Sequence, residues 1–384
     1  MPETRIPVAK PWLGEAEALA AGRAILSGWV TQGPEVAAFE REFAASVGAS
    51  HACAVSSCTT ALHLALRAVG VQSGDEVVTV SHSFIATASS VRYCGAKPVF
   101  VDIDPGTFNM DPGRIESALS DRTRAILPVH QIGMPCDMPA ITAVARRHGL
   151  PVIEDAACAI GSEIRWNGAW EKIGRPHGDI ACFSFHPRKL ITTGDGGMLT
   201  TSNTGFDRQF RLWRQHGMSL PDTVRHSSTQ VVFESYAELG YNYRMTDIQA
   251  AVGREQLKRL EAIVARRRYL AQRYTDGLGG MGLGLPPEPD WARTNWQSYC
   301  VRLPEGCSQR TVMQALLHKG IATRRAVMCA HREPAYPAGS WSAPGGLAES
   351  ERAQDSALTL PLYHQMTEAD QDRVIDAMRA LAPS

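Results

Sequence analysis

Residues 184–197 read SFHPRKLITTGDGG, and in this stretch Lys189 lies between an apolar run and a glycine-rich turn. We expect the turn to let the backbone approach a ligand closely. A lysine in an apolar site loses its charge more easily than an exposed one and can form a Schiff base with a carbonyl. Lys189 is therefore a candidate for covalent chemistry, although surface lysines beside turns are common.

The region before Lys189 alternates short strand-like runs with helical ones. The expected strands are Ala52–Val55, Glu76–Val80, Pro98–Ile103, Ala125–Val129, Pro151–Glu154 and Ile180–Phe185. The expected helices between them are Thr59–Gly70, Ile85–Cys94, Pro112–Leu119 and Met138–His148. Such alternation predicts right-handed crossovers and a mainly parallel sheet, which binds ligands at the carboxyl ends of its strands.

The C-terminal part predicts a second, smaller α/β unit. A capping box of Thr246 and Gln249 opens a long helix that we expect to run to about Tyr274. A stretch rich in glycine and proline follows it at 277–289. Beyond it we expect a strand and two helices, at Ser298–Leu303, Thr311–Lys319 and Ala369–Leu381. The predicted division is an N-terminal segment 1–30, a large domain 31–258 and a small domain 259–384.

Composition excludes several kinds of partner. Among 384 residues, 39 Lys and Arg balance 39 Asp and Glu, so no basic excess attracts nucleic acid or an anionic membrane. No apolar run approaches the roughly 20 residues that span a bilayer, and the polar N-terminus shows no signal peptide. Nine cysteines without metal-type spacing indicate no metal site and favour a cytoplasmic protein with reduced thiols.

Chemistry with pyridoxal phosphate (PLP) requires more than a lysine, and candidates for each further part follow predicted strands. A carboxylate must keep the pyridine nitrogen protonated; Asp155 could do so, or could cap a helix. The stretch 57–60 offers N–H groups and hydroxyls to a phosphate, although Thr59 could serve only as a cap. Phe84 could cover the ring or belong to the core, and Ser184 could add a phosphate contact.

The order and spacing of these segments resemble the DegT-like sugar aminotransferases, a family of fold-type I PLP enzymes. The matching segments are Ser57–Leu62, Phe84–Ala88, Pro98–Ile103, Val129–Gly133, Glu154–Ala157, Phe183–Lys189 and Gly240–Ala251. The last two are the most specific. The resemblance implies an α/β fold whose large domain holds a mainly parallel central sheet flanked by helices, with a smaller C-terminal α/β domain.

The resemblance also implies a role for each matched cofactor residue. Lys189 would bond to the cofactor and later transfer the proton, and Asp155 would pair with the pyridine nitrogen. Phe84 would stack on the ring. The phosphate would be held by Cys58, Thr59 and Ser184.

Three further residues are assigned through the same resemblance. Asn242 would reach the phosphate of the neighbouring subunit, which makes the enzyme a homodimer with shared active sites. Arg244 beside it would contact substrate or form a structural ion pair. His331, in the small domain, would lie near the substrate or be an ordinary loop histidine.

Two departures from the family pattern bear on cofactor and substrate. Cys158 stands where the family usually has glutamine or histidine near the phenolic oxygen of PLP, and a thiol is a weaker donor. The segment 322–331 lacks the usual aromatic and proline residues. Because that loop faces the substrate in the family, the type of sugar stays open.

We therefore predict a cytoplasmic, homodimeric PLP-dependent aminotransferase. It would move an amino group from L-glutamate to a keto sugar, preferably a nucleotide-linked keto-deoxysugar. The open alternatives are acceptors such as a keto-cyclitol, an aminoglycoside intermediate or a keto-octulosonate. A PLP-dependent sugar dehydratase is disfavoured because relatives of that kind replace the lysine by histidine, and a non-catalytic relative is disfavoured because Lys189 and Asp155 are both present.

Overall fold

The fold was obtained as a computed structural model, and it describes residues 5–220 and 228–381. The strands in chain order are β1 (His51–Val55), β2 (Glu76–Val80), β3 (Lys97–Val101), β4 (Thr123–Leu127), β5 (Ile153–Asp155), β6 (Glu163–Trp166), β7 (Ala169–Lys172), β8 (Ile180–Ser184), β9 (Gly197–Thr201), β10 (Ala292–Arg293), β11 (Tyr299–Arg302), β12 (Arg324–Arg325) and β13 (Ala357–Leu360).

The α-helices alternate with these strands through most of the chain. In order they are α1 (Glu15–Leu26), α2 (Pro34–Val47), α3 (Cys58–Ala68), α4 (Ala86–Tyr93), α5 (Met138–Arg147), α6 (Thr204–Trp213), α7 (Asp247–Leu257), α8 (Leu260–Leu278), α9 (Gln309–His318), α10 (Ala348–Ser356) and α11 (Glu368–Arg379).

The central sheet has the strand order β3-β2-β4-β5-β8-β9-β1. β2 pairs in parallel with β3 and β4, and two parallel bridges, Ile126 to Val152 and Val129 to Asp155, join β4 to β5. β5 and β8 are parallel, whereas β9 is antiparallel to both β8 and β1. Among these described strands only β9 runs against the others, so the prediction of a mainly parallel sheet is confirmed.

Helix α3 begins directly beyond the carboxyl end of β1. The Ser57 hydroxyl accepts the N–H of Thr60 at 3.2 Å, and the Thr60 hydroxyl accepts the N–H of Ser57 at 3.1 Å. Ser57, not Thr59, is therefore the cap. Leu62 and Leu66 on this helix are buried against the sheet. Burial of this apolar face fixes the helix so that its first turn lies at the edge where β1 ends.

Two helix predictions differ from the structure. The long helix opens at Thr246, whose hydroxyl accepts the N–H of Gln249 as expected, but it is divided at Lys258–Arg259 into α7 and α8. The helix expected at 112–119 consists of two short 3-10 turns. Gly113 weakens an α-helix there because glycine loses the most backbone freedom on ordering.

The C-terminal strands form a separate antiparallel sheet of order β11-β13-β12. Its apolar face packs in a hydrophobic cluster separate from the core of the large unit. This second cluster includes Leu270, Tyr299 and Val374, and Ile6 from the N-terminal end joins it. This is the smaller C-terminal α/β unit. We propose that the large domain ends near residue 258, where the long helix divides; the first turns of α8 still pack on the large unit through Leu260 and Ile263, and its later part contributes Leu270 to the second cluster.

Candidate active site

One cleft of about 510 Å³ lies at the carboxyl ends of the central strands. This is the edge at which mainly parallel sheets bind ligands. It brings together seven of the residues singled out in the sequence: Cys58, Thr59, Phe84, Asp155, Cys158, Ser184 and Lys189. Asp155 ends β5 and Ser184 ends β8, so the adjacent strands place both side chains at the same edge.

Lys189 lies in the loop between β8 and β9, where its Nζ donates to Cys158 Sγ at 3.0 Å. Burial by itself would lower the pKa of the Lys189 amine, but Cys158, Cys58 and Asp155 around it raise this pKa above its ordinary value. For the chain without its cofactor this direction runs against an easily lost charge, and the Schiff-base role of Lys189 stays a prediction. The ammonium is the cation that the buried Asp155 faces.

Asp155 is a buried carboxylate with two protein donors. Thr87 Oγ1 donates to its Oδ2 at 2.7 Å, and the Ala157 N–H donates to its Oδ1 at 3.1 Å. Burial raises its pKa above the ordinary value, although Thr87, Ala157 and Lys189 each oppose the shift. A turn and not a helix follows it, so the helix-cap alternative is wrong. A protonated ring nitrogen would supply the charge partner that such a buried carboxylate needs.

The first turn of α3 and the end of β8 form a second polar part of the cleft. Helix first turns leave N–H groups without intrahelical partners, and their dipole favours a phosphate. Thr59 offers a hydroxyl there. The Cys58 thiol is buried and its pKa is raised by that burial, so this residue offers its N–H and not a thiolate.

Gly197 allows the first turn of α3 to lie against the end of β8. It pairs with Val55 of β1 on one side and with Ser184 of β8 on the other. A Cβ at this position would collide with the backbone of Ser57 and Cys58. The glycine-rich turn was expected to admit a ligand, but at Gly197 it admits the protein's own helix terminus.

Phe84 follows β2 and lines the cleft with 61% of its surface exposed. The alternative of a core aromatic is therefore wrong. An exposed aromatic face beside Asp155 and Lys189 is available to stack on a planar ring. Together with the buried carboxylate and the helix terminus, it makes the cleft fit PLP.

Three of the residues singled out in the sequence lie outside this cleft. Asn242 is exposed, and the Arg244 guanidinium donates to its side chain at 3.4 Å. His331 is held between the Ser81 hydroxyl at 2.7 Å and Glu351 Oε1 at 3.0 Å. In this chain the ring nitrogens of His331 contact protein groups and do not reach the cleft.

Sequence reasoning missed several residues that line the cleft. Thr87 lay within the quoted segment Phe84–Ala88, where a hydroxyl so close to a strand end was the available signal. Arg324 lay in the segment that departs from the family pattern. Gln297 carried no signal, because only the packing of β11 beside the Lys189 loop brings it here.

A lysine in a cleft at the edge of this kind of sheet is the arrangement of the fold-type I PLP enzymes. Residues 11–379 match the DegT/DnrJ/EryC1/StrS aminotransferase family, and the chain belongs to that family. It is therefore a PLP-dependent aminotransferase, as the sequence predicted.

Individual relatives match over almost the whole chain. The spore coat polysaccharide biosynthesis protein SpsC of Bacillus subtilis strain 168 is 39% identical over 379 residues, which are 97% of this chain and 96% of SpsC. DesV of S. venezuelae, solved in complex with a ketimine intermediate, is 35% identical with a TM-score of 0.88 over 99% of each chain. DesI, solved in the presence of its TDP-sugar product, is 29% identical with a TM-score of 0.88 over 99% of this chain and 93% of that one.

Proposed function

We propose that this enzyme transfers an amino group from L-glutamate to the carbonyl of a nucleotide-linked keto-deoxysugar. The observation that carries the proposal is the single cleft that holds Lys189, Asp155 and the first turn of α3. Its volume of about 510 Å³ has room for a cofactor and a sugar together. The TDP-sugar product of DesI and the polysaccharide role of SpsC support a sugar acceptor.

Each of the main cleft residues has a separate role in this proposed reaction. When bound, PLP supplies an electron-withdrawing ring and carries the amino group between the two substrates. Asp155 would hold a proton at the ring nitrogen, and the Thr87 hydroxyl fixes the orientation of that carboxylate. Lys189 Nζ accepts and returns the proton at the substrate carbon. The α3 terminus and Ser184 would bind the phosphate, and Phe84 would cover the ring.

The test is a half-reaction followed by an acceptor screen. Purified holoenzyme is incubated with L-glutamate, and release of 2-oxoglutarate is measured before and after nucleotide-linked keto sugars are added. Keto-cyclitols and keto-octulosonate belong in the same panel, because they are the competing acceptors. We expect 2-oxoglutarate with glutamate, and turnover only with the correct acceptor. Lys189→Ala is the negative control, and no 2-oxoglutarate from the wild type would exclude the glutamate donor.

We also propose that the enzyme is a homodimer in which Asn242 completes the partner's phosphate site. Asn242 is exposed and outside the cleft of its own chain. The segment before it exposes apolar side chains, with 85% of Val231, 89% of Phe233 and 87% of Leu239 accessible. Exposed apolar surface of this kind is typical of a protein interface.

Subunit mixing tests this arrangement. An inactive Lys189→Ala subunit is combined with an Asn242→Ala subunit, and exchange is allowed. Each heterodimer then contains one site with both residues intact, so activity should return toward half of the wild-type value per heterodimer. If exchange is shown by mass and no activity returns, Asn242 acts within its own subunit.

A cytoplasmic location is part of the same proposal. Each of the nine cysteines is a free thiol, and most are buried. Reducing compartments keep thiols in this state. Of the residues that the structure describes, none belongs to a helix long and apolar enough to cross a membrane. Fractionation of the producing cells would check the location.

A further inference from the structure

We propose that Arg188 and Arg324 form an anion-binding subsite in the cleft, beside the amide of Gln297. The subsite would recognise a carboxylate or phosphate group of a substrate and so determine specificity. This inference rests on the proposed aminotransferase function, because it places the subsite next to the reacting lysine.

The two arginines differ from their neighbours in having no acidic partner. Both line the cleft, and over residues 5–220 and 228–381 neither guanidinium has a hydrogen bond or an ion pair. Arg325, next in the chain, also lines the cleft but binds Glu333 at 3.1 Å. A guanidinium offers five N–H donors in a planar fork that matches carboxylate and phosphate oxygens. Two such groups on one cleft indicate an anionic ligand.

The charge of the cleft leaves these arginines available to a ligand. The acidic residues that line the cleft are Asp155 and Asp195. Asp155 is engaged by Thr87 and Ala157 and faces Lys189. Asp195 is exposed to solvent, where a surface ion pair would be weak. The cleft lining therefore carries a positive excess outside the part that fits the cofactor phosphate.

Gln297 adds an acceptor for a donor group on the ligand whose anion the arginines bind. Its side chain is 8% exposed, and its Nε2 donates to the carbonyl of Arg188 at 2.6 Å. This bond ties Gln297 to the Lys189 loop. Its Oε1 is buried and has no hydrogen-bond partner among the described residues. An unpaired buried acceptor is costly, and a hydroxyl or amine of a ligand in the cleft would satisfy it.

The subsite joins the two parts of the fold. Arg188 lies in the loop after β8, and Arg324 lies in β12, which pairs with β13 through Thr359. Thr359 itself lines the cleft. A ligand bound by both arginines would therefore contact the large unit and the small unit at once. The anion has two candidate sources, a carboxylate of the amino donor or a phosphate of the acceptor.

The experiment uses holoenzyme and two probes that separate these sources. Glutarate represents the dicarboxylate donor, and inorganic pyrophosphate represents the acceptor phosphates. Affinity for each probe is measured by calorimetry with wild type, Arg188→Gln and Arg324→Gln. Arg310→Gln, an exposed arginine on α9 outside the cleft, is the matched control. Bound cofactor is verified by absorbance for each protein.

We expect both cleft variants to lose affinity for the same probe by about tenfold to a hundredfold, as for loss of a charged hydrogen bond. The control should be unchanged. Arg325→Gln should weaken probe binding less than Arg324→Gln does, because Glu333 already binds Arg325. The probe that loses affinity identifies the source of the anion, and the KM of that substrate should rise with it.

Two results would overturn the subsite. Wild-type holoenzyme that binds neither probe excludes an anion site, and variants within about twofold of wild type for both probes exclude these arginines. In either case retained transamination would show that the proposed function stands. If the wild-type holoenzyme forms no 2-oxoglutarate from L-glutamate, that result would instead count against the proposed function itself.

Discussion

Replacing Asp155 by asparagine should strongly lower activity and yet stabilise the cofactor-free protein. The carboxylate is buried, and burial raises its pKa above the ordinary value. Its charge is useful only when a protonated ring nitrogen lies opposite. Without that partner the ionised group costs folding free energy, because Thr87, Ala157 and the Lys189 ammonium offset the effect of burial only in part.

The substitution preserves the shape and hydrogen bonds of the site. Asparagine keeps an oxygen for the Ala157 N–H, which now donates at 3.1 Å. The Thr87 hydroxyl donates to the carboxylate at 2.7 Å, and it can rotate to accept from an amide instead. The loss is therefore electrostatic. Removing one such contact in a buried site typically reduces kcat by about 10²–10³-fold, or about 3–4 kcal/mol.

The pH dependence of stability follows from the sign of the shift. A carboxyl whose folded pKa lies above its unfolded value, about 3.9, penalises folding as pH rises through these values. Asp155→Asn removes that penalty. Its advantage in unfolding free energy over wild type should be largest at neutral pH and should disappear as pH falls toward 4.

Two assays check both halves of this prediction. The rate of the glutamate half-reaction gives the loss in kcat, and urea unfolding of cofactor-free protein between about pH 4 and 8 gives the stability difference. Asp137→Asn is the control, because Asp137 is an exposed helix cap that asparagine replaces well. A variant within a few-fold of wild-type rate, or one less stable than wild type at neutral pH, would refute the reasoning.

Three further predictions follow from the same site. Lys189→Ala should abolish transamination with the fold intact, and borohydride reduction of wild-type holoenzyme should attach the cofactor to Lys189 in peptide maps; a label on another lysine contradicts this. Thr87→Val should lower kcat by about tenfold or more, because a hydrogen bond to the Asp155 carboxylate is lost; an unchanged rate removes Thr87 from its positioning role. Gly197→Ala should destabilise the protein by about 1–3 kcal/mol in urea unfolding through overpacking, whereas Gly22→Ala in α1, with open space around it, should not destabilise.

The parts of the site that could be predicted from sequence are local to strand ends. Asp155, Phe84 and the 57–60 stretch each follow a short apolar run, and parallel strands bring their carboxyl ends to one edge. The spacing of apolar residues along the chain also predicts the alternation of strands and helices. The lysine loop could be recognised because an apolar run and a glycine-rich turn flank it.

The remaining parts depend on packing between distant segments. Arg324 and Gln297 enter the cleft only because the C-terminal sheet packs beside the lysine loop. His331 was assigned to substrate through its family position, yet Ser81 and Glu351 hold its ring nitrogens. A histidine's partners cannot be inferred from its own sequence neighbourhood when they come from residues 250 and 20 positions away.

Strand β9 explains why residues 184–197 determine so much of the structure. It starts at Gly197, directly after Gly196, and gave no strand pattern, so it was missed. Because β9 is antiparallel, its first residue, Gly197, lies beside Ser184 at the cleft edge. The loop that contains Lys189 therefore leaves the sheet and returns to it at the same edge, and Phe185 N–H to Gly196 carbonyl closes it at 2.9 Å. A parallel β9 would have required a crossover that carries the chain to the opposite edge of the sheet, away from the cleft. The antiparallel return keeps the lysine over the ends of β5 and β8, where Asp155 and the helix terminus of α3 already lie.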